Sequence, residues 1–294
     1  MSCGKDLIRI VVAEPEIIAR AAAAEAKGLR SDAFYWRFVA TALSFAVFGC
    51  SALLLSLTVL PLLRLLPRER CQRYSRIVLQ RGMRAFIGVM YGLGTLTYEF
   101  QGTQRLGRAG QLIVANHPSL IDVIFLIAFT PQADCIVKQA MFRNLLTRSV
   151  VRGAGYIGNG QAVDMIEGAA ATLRSGQCLI MFPEGTRTRP GQPLTLHRGA
   201  ANVAVRAASI VTPVYIRCVP TTLTKSEPWY RIPLRRPHFS LQVGEDFELG
   251  AFHDMASIPV ASRAFNECLR ARFEGELQRL NGYTPGQPAV ARPA

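Results

Sequence analysis

Apolar and polar positions alternate along this chain in three distinct ways. From Phe38 to Leu63 there is no charged residue at all, so a helix here is apolar on every face and long enough to cross a bilayer. Tyr35 and Trp36 stand at one edge, where interfacial aromatics sit, and Arg37 and Arg64 bracket the run. The alternative is a buried core helix, but core helices rarely stay apolar all round over this length. The pattern predicts a hydrophobic membrane helix in residues 38–66. Pro61 near its end leaves a re-entrant hairpin as the other form. The run begins too far along the chain for an ordinary cleaved signal peptide.

Beyond residue 84 the pattern changes to short apolar runs at 96–100, 112–115, 135–137, 178–182, 211–216 and 239–243. Helical periodicity separates several of them, at 122–129, 140–150 and 162–173, and Gly176 supplies a stop for the third. Strands alternating with helices predict an α/β domain over residues 85–282, with a largely parallel sheet flanked by helices. An amphipathic stretch at 257–280 closes it. The remaining segments are polar. Residues 1–37 mix charges of both signs around an Ala-rich stretch at 20–27. Residues 67–84 are dense in arginine, and residues 283–294, rich in Pro and Gly, read as disordered.

Charge sharpens this picture. The net charge of +14 comes almost wholly from arginine and favours anionic partners. It concentrates directly after the hydrophobic run, as Arg64, Arg68, Arg70, Arg73, Arg76, Arg81 and Arg84 against Glu69 alone. That placement suits anionic lipid headgroups better than a nucleic acid, for which an aromatic-studded basic groove is expected. The positive-inside rule then puts the α/β domain on the cytoplasmic side of the membrane, the inner membrane in a bacterium. Seven cysteines without a Cys-x-x-Cys suggest neither a disulfide framework nor a zinc site.

The candidate chemistry lies at the end of the 112–115 run, in Asn116-His117-Pro118-Ser119-Leu120-Ile121-Asp122. The C-terminal end of a parallel strand is where α/β folds place their sites. Residues five apart do not share a helix face. With His117 in a turn and Pro118 opening a helix, Asp122 would swing back under the ring. A carboxylate on one ring nitrogen leaves the other free to take a proton.

Asn-His-x4-Asp after a strand resembles the first motif of the glycerolipid acyltransferases, which include the lysophosphatidate acyltransferases. Phe182-Pro183-Glu184-Gly185-Thr186-Arg187, again after an apolar run, matches their third motif, and Val211-Thr212-Pro213-Val214-Tyr215-Ile216 resembles the fourth. The resemblance covers roughly residues 85–250 and implies transfer of a fatty acyl chain from an acyl-CoA or acyl-carrier-protein thioester to a lipid hydroxyl, with no cofactor. It makes His117 the general base and Asp122 its orienting partner. Asn116, Glu184, Gly185, Thr186 and Arg187 become acceptor-binding residues, Arg187 through its planar fork. Arg189, His197 and Arg198 would either widen an anionic site or be ordinary solvent-facing charges. Lys138 sits where relatives often carry a lysine.

One position departs from the family. The second motif commonly reads Gly-x-x-Phe-Ile-x-Arg, and here the run Gly153 to Asn159 puts Asn159 at the arginine position. The Tyr156-Ile157-Gly158-Asn159 variant resembles the lipid acyltransferases of bacterial aryl-polyene clusters. It predicts weak discrimination between lysophosphatidate and lysolipids that lack a terminal phosphate. A thioesterase using the same base on water and a non-catalytic anionic-lipid-binding protein are the competing readings.

Overall fold

The structure is a computed structural model and describes residues 33–144, 147–188, 192–225 and 227–281. Most of the charged segment 1–37, the tail 283–294 and Arg189 lie outside the described residues. In chain order the elements are α1 (Phe34–Leu57), α2 (Val59–Leu63), α3 (Arg68–Gly92), β1 (Thr97–Gln101), β2 (Gln111–Ala115), α4 (Asp122–Phe129), β3 (Asp134–Val137), α5 (Arg148–Ala154), β4 (Ile157–Gly158), α6 (Ala162–Arg174), β5 (Leu179–Met181), α7 (Gly199–Ala207), β6 (Ile210–Val219), β7 (His238–Val243), α8 (Gly250–His253) and α9 (Ile258–Asn281).

The seven strands form one sheet in the order β1-β7-β6-β2-β5-β3-β4. β6, β2, β5, β3 and β4 run parallel. β7 turns antiparallel against β6, and β1 follows β7 in parallel. The sheet is covered on both faces, and alternation along β2 shows how. Its five residues are all buried. Ile113 and Ala115 face a core that includes Leu79, Phe86 and Ile87 of α3 and Phe125 and Leu126 of α4. Leu112 and Val114 face the opposite core, filled by Leu173 of α6, Val203 of α7 and Phe265, Leu269 and Phe273 of α9. A strand buried on both sides has no polar face to show, which is why it reads as a continuous apolar run.

The apolar N-terminal region is a helix pair, α1 and α2, with a break at Thr58; together they span Phe34–Leu63, with a mean hydropathy of 2.2 over an 18-residue stretch. Its inward and outward faces are inverted relative to a soluble helix. Arg37, Ala40, Thr41 and Ser44, spaced along one face, are buried, whereas Tyr35, Phe38, Val39, Leu43, Val47, Leu54 and Leu57 are exposed. By length and composition this region is able to cross a membrane. Arg37 is not the solvent-facing flank that the sequence suggests. It is 2% exposed, and its guanidinium donates to the carbonyls of Pro233 (3.1 Å) and Leu234. The partly buried Phe45 and Phe48 meet Phe86 of α3, and Phe45 also meets Trp229.

Two local expectations need correcting. The helix expected at 140–150 is broken into a 3-10 turn, Gln139–Phe142, and α5. Thr147 Oγ1 donates to the Met141 carbonyl (2.8 Å) and closes the loop between them. The arginine-rich stretch continues through residue 84 as one helix to Gly92. Arg76 turns inward there, pairing with Asp134 at 2.5 Å and donating to Ala154 O and Gln177 Oε1.

Candidate active site

The end of β2 is fixed before any chemistry is placed on it. The buried side chain of Asn116 donates to Ile216 O (2.7 Å) and accepts from Ile216 N–H (2.8 Å), tying β2 to β6 by a two-way amide bond. His117 follows directly. Its backbone N–H donates to Glu184 Oε1 (2.8 Å), and its carbonyl accepts from Thr188 N–H (2.7 Å). Thr188 Oγ1 donates to the same Glu184 oxygen (2.8 Å). Glu184 therefore clamps the 182–188 turn onto the His117 backbone. The turn itself needs Gly185, whose φ is +64° and where a Cβ would meet His197 Cδ2 at 3.2 Å.

Asp122 is the first residue of α4, not the fifth of a helix opened at Pro118 as expected. The turn from His117 to Ile121 brings it back instead. Asp122 Oδ2 accepts the Ser119 N–H at 2.6 Å and lies 3.0 Å from His117 Nδ1. The carboxylate is wholly buried, while the imidazole side chain is 16% exposed. The ring stacks on Phe182, with centroids 4.3 Å apart and planes 27° off parallel. With Nδ1–H donated to Asp122, Nε2 is the nitrogen left to act; the tautomer is assigned from this hydrogen bond. Burial pushes the Asp122 carboxyl above its ordinary range, opposed by the His117 ring, the Ser119 N–H and the positive charge of Arg187. Burial likewise raises Glu184, opposed by the His117 and Thr188 hydrogen bonds.

Arg187 joins this group through a third segment. Its Nη1 donates to the carbonyls of Leu223 (2.8 Å) and Thr224 (2.9 Å), leaving Nε and Nη2 without a partner among the described residues. Leu223 O also accepts the Leu120 N–H (3.1 Å), so one carbonyl links both motif loops. Leu223 is buried and has a φ of +55°, unusual for a branched side chain. Sequence reasoning missed Ile216, Leu223 and Thr224, because each acts through its backbone and leaves no side-chain signal.

The structure thus brings Asn116, His117, Asp122, Glu184, Gly185 and Arg187 to one place, with Thr186 half-buried in the same turn. Lys138 and Asn159 lie at the C-terminal ends of β3 and β4, on the same edge of the sheet. They are two and three strand positions from β2, roughly 10 and 14 Å at ordinary strand spacing. Lys138, His197 and Arg198 are exposed. Among the described residues, no group of three or more His, Cys, Asp or Glu side chains is placed to hold a metal ion.

Comparisons with known proteins converge on the same region. A family model described as "Acyltransferase" matches residues 97–217. The chain is 30% identical over 134 residues to a Caenorhabditis elegans protein, acl-2, named as a 1-acyl-sn-glycerol-3-phosphate acyltransferase; the match covers 42% of this chain and 45% of the relative. It is 26% identical over 141 residues to the 1-acyl-sn-glycerol-3-phosphate acyltransferase of Borreliella burgdorferi, covering 45% and 56%. The chain thus spans about half the length of the curated relatives it matches. In fold it is similar to the solved 1-acyl-sn-glycerophosphate (LPA) acyltransferase PlsC of Thermotoga maritima, with a TM-score of 0.67 at 18% identity over 84% of this chain and 96% of that one. The segment 97–217, with His117, Asp122 and the Glu184–Arg187 turn inside it, is the part of the chain that matches the acyltransferase family model.

Proposed function

We propose that this chain is a membrane-anchored O-acyltransferase that moves a fatty acyl group from an acyl-CoA or acyl-carrier-protein thioester to the hydroxyl of a lysophospholipid of the 1-acylglycerol-3-phosphate type. His117 Nε2 takes the proton of the acceptor hydroxyl as its oxygen attacks the thioester carbonyl. The tetrahedral intermediate collapses with loss of the thiolate, which recovers that proton from the imidazolium. Asp122 holds the ring and stabilises its charged form while remaining ionised itself. Arg187 offers its two uncommitted N–H edges to the acceptor's phosphate. The outward-facing apolar side chains of α1 and α2 anchor the enzyme in the bilayer, which keeps the site close to lipid substrates.

The observation that carries this reading is the 3.0 Å contact between His117 Nδ1 and the fully buried Asp122. Binding lipid alone requires no such pair. The test is product analysis with a labelled acyl thioester, with and without lysophosphatidate. Wild-type protein is expected to label phosphatidate. General-base assistance is typically worth about 10²–10⁴-fold, so His117→Ala should lose activity on that scale, and Asp122→Asn should lose much of it by mis-setting the ring tautomer. Label appearing only as free fatty acid would assign a thioesterase instead. Unchanged turnover in His117→Ala would end the mechanism.

A further inference from the structure

A groove of about 480 Å³ opens where the link after α2 meets the basic helix α3. Arg64 and Leu66 line it from the α2–α3 link, Arg68 and Gln72 from α3, and Phe142 and Arg152 from the α/β domain. It shares no lining residue with the His117 site. Three exposed arginines from two separate parts of the fold line this space, and none has an acidic partner among the described residues. Arg68, Arg73 and Arg81 are all exposed, but Arg68 is three and seven residues ahead of buried Cys71 and Ser75 on one side of α3, whereas Arg73 and Arg81 lie on the opposite side.

The groove is built rather than incidental. Gly155, the C-cap of α5, has a φ of +79°, and a Cβ there would come within 2.7 Å of Gln72 Nε2. A Cβ on Gly153 would come within 3.1 Å of Ser75 Oγ. These two glycines let the end of α5 press against α3 and bring Arg152 toward Arg68. On the other side, Leu62 and Leu65 are 66% and 83% exposed just ahead of the groove. A ligand that satisfies both halves carries a negatively charged phosphate for the arginines and hydrocarbon to run along the leucines.

We propose that Arg64, Arg68 and Arg152 form a binding site for the phosphate-bearing headgroup of an anionic bilayer phospholipid, separate from the acyl-transfer centre. Guanidiniums bind phosphate oxygens through paired N–H donors, and basic pockets beside membrane helices hold such headgroups. The site holds the lipid without acylating it, because no base faces it. The proposal rests on the membrane attachment argued above but not on the identity of the reaction.

The test uses the full chain in neutral detergent, incubated with phosphatidylglycerol or phosphatidylcholine of the same acyl chains. Retained lipid is counted by native mass spectrometry. Wild-type protein should retain phosphatidylglycerol preferentially. Arg68→Gln/Arg152→Gln should lower that retention about tenfold or more, given the usual strength of a charge-assisted hydrogen bond. Arg73→Gln/Arg81→Gln should leave it unchanged, and His117→Ala should bind lipid like the wild type while failing in acyl transfer. Equal retention of the two lipids overturns the proposal. So does a double variant that melts earlier yet keeps its lipid, since Arg152 would then serve only the end of its own helix. Displacement by millimolar inorganic phosphate would assign a free-phosphate site and exclude the lipid.

Discussion

At the scale of single residues, Asn159 holds a structural position as well as a place in a motif. Its Oδ1 accepts the Gln139 N–H at 3.0 Å, and its own N–H donates to Val137 O at 2.9 Å, joining the ends of β3 and β4. Asn159→Arg would add a cation on the substrate edge of the sheet but lose the Gln139 bond. A net hydrogen bond contributes about 0.5–1.5 kcal/mol, so the variant should melt a few degrees earlier. It should still raise kcat/KM for lysophosphatidate over a lysolipid without a terminal phosphate by about tenfold. An unchanged ratio in that kinetic comparison would show that Arg187 alone reads the phosphate. The His117–Asp122 pair was legible in the chain because both partners carry reactive side chains five positions apart. The Leu223 and Thr224 carbonyls that hold Arg187 were not, since a carbonyl acceptor is common to every residue. Glu184 was legible as a motif member, but its bond to the His117 backbone was not.

Among the elements, α3 joins the apolar helices α1 and α2 to the α/β domain, and its inward Arg76 reaches Asp134 at the start of β3. Burial raises the Asp134 carboxyl from 3.8 to about 7, against the pull of Arg76. The folded protein therefore keeps a proton there that the unfolded chain releases above 3.8. The contribution to stability is complete below that value and is lost as pH rises through about 7, at no more than about 1.4 kcal/mol per pH unit. Asp134→Asn should flatten this dependence. Thermal melts of the detergent-solubilised chain at about pH 5 and about pH 8 compare the two slopes. A wild type that melts later at the higher pH would contradict the sign. The strands that sequence picked out begin and end within a residue of expectation, except that β6 runs three residues further, to Val219. β4 was not among them, because two residues carry no periodicity. α7 also escaped notice, since its nine residues are shorter than the window over which helical periodicity is read. The helix expected at 140–150 failed because Thr147 diverts the chain with a side-chain bond that periodicity does not register.

For the molecule as a whole, the family match ends at residue 217, but the fold does not. β7 supplies the antiparallel neighbour of β6 and, among the described residues, the only partner of β1, and α9 covers the face that carries Tyr215 and Leu179. A chain ended at residue 225 should therefore leave both faces of the sheet incomplete. Limited trypsin digestion should cut it throughout residues 97–217 while the full chain resists. A resistant fragment would make the C-terminal part dispensable. The parallel order of the central strands followed from the alternation of runs along the sequence. The reversal at β7 did not, because a strand's direction leaves no mark on its apolar pattern. The position of β1 also sets an order of events during synthesis. Thr97 pairs with His238, 141 positions later. A chain growing on the ribosome has already delivered its apolar helices when β1 emerges, and β1 then lacks its pairing strand until β7 has been made. The candidate site, whose Arg187 is held by the Leu223 and Thr224 carbonyls just ahead of β7, is therefore also completed late.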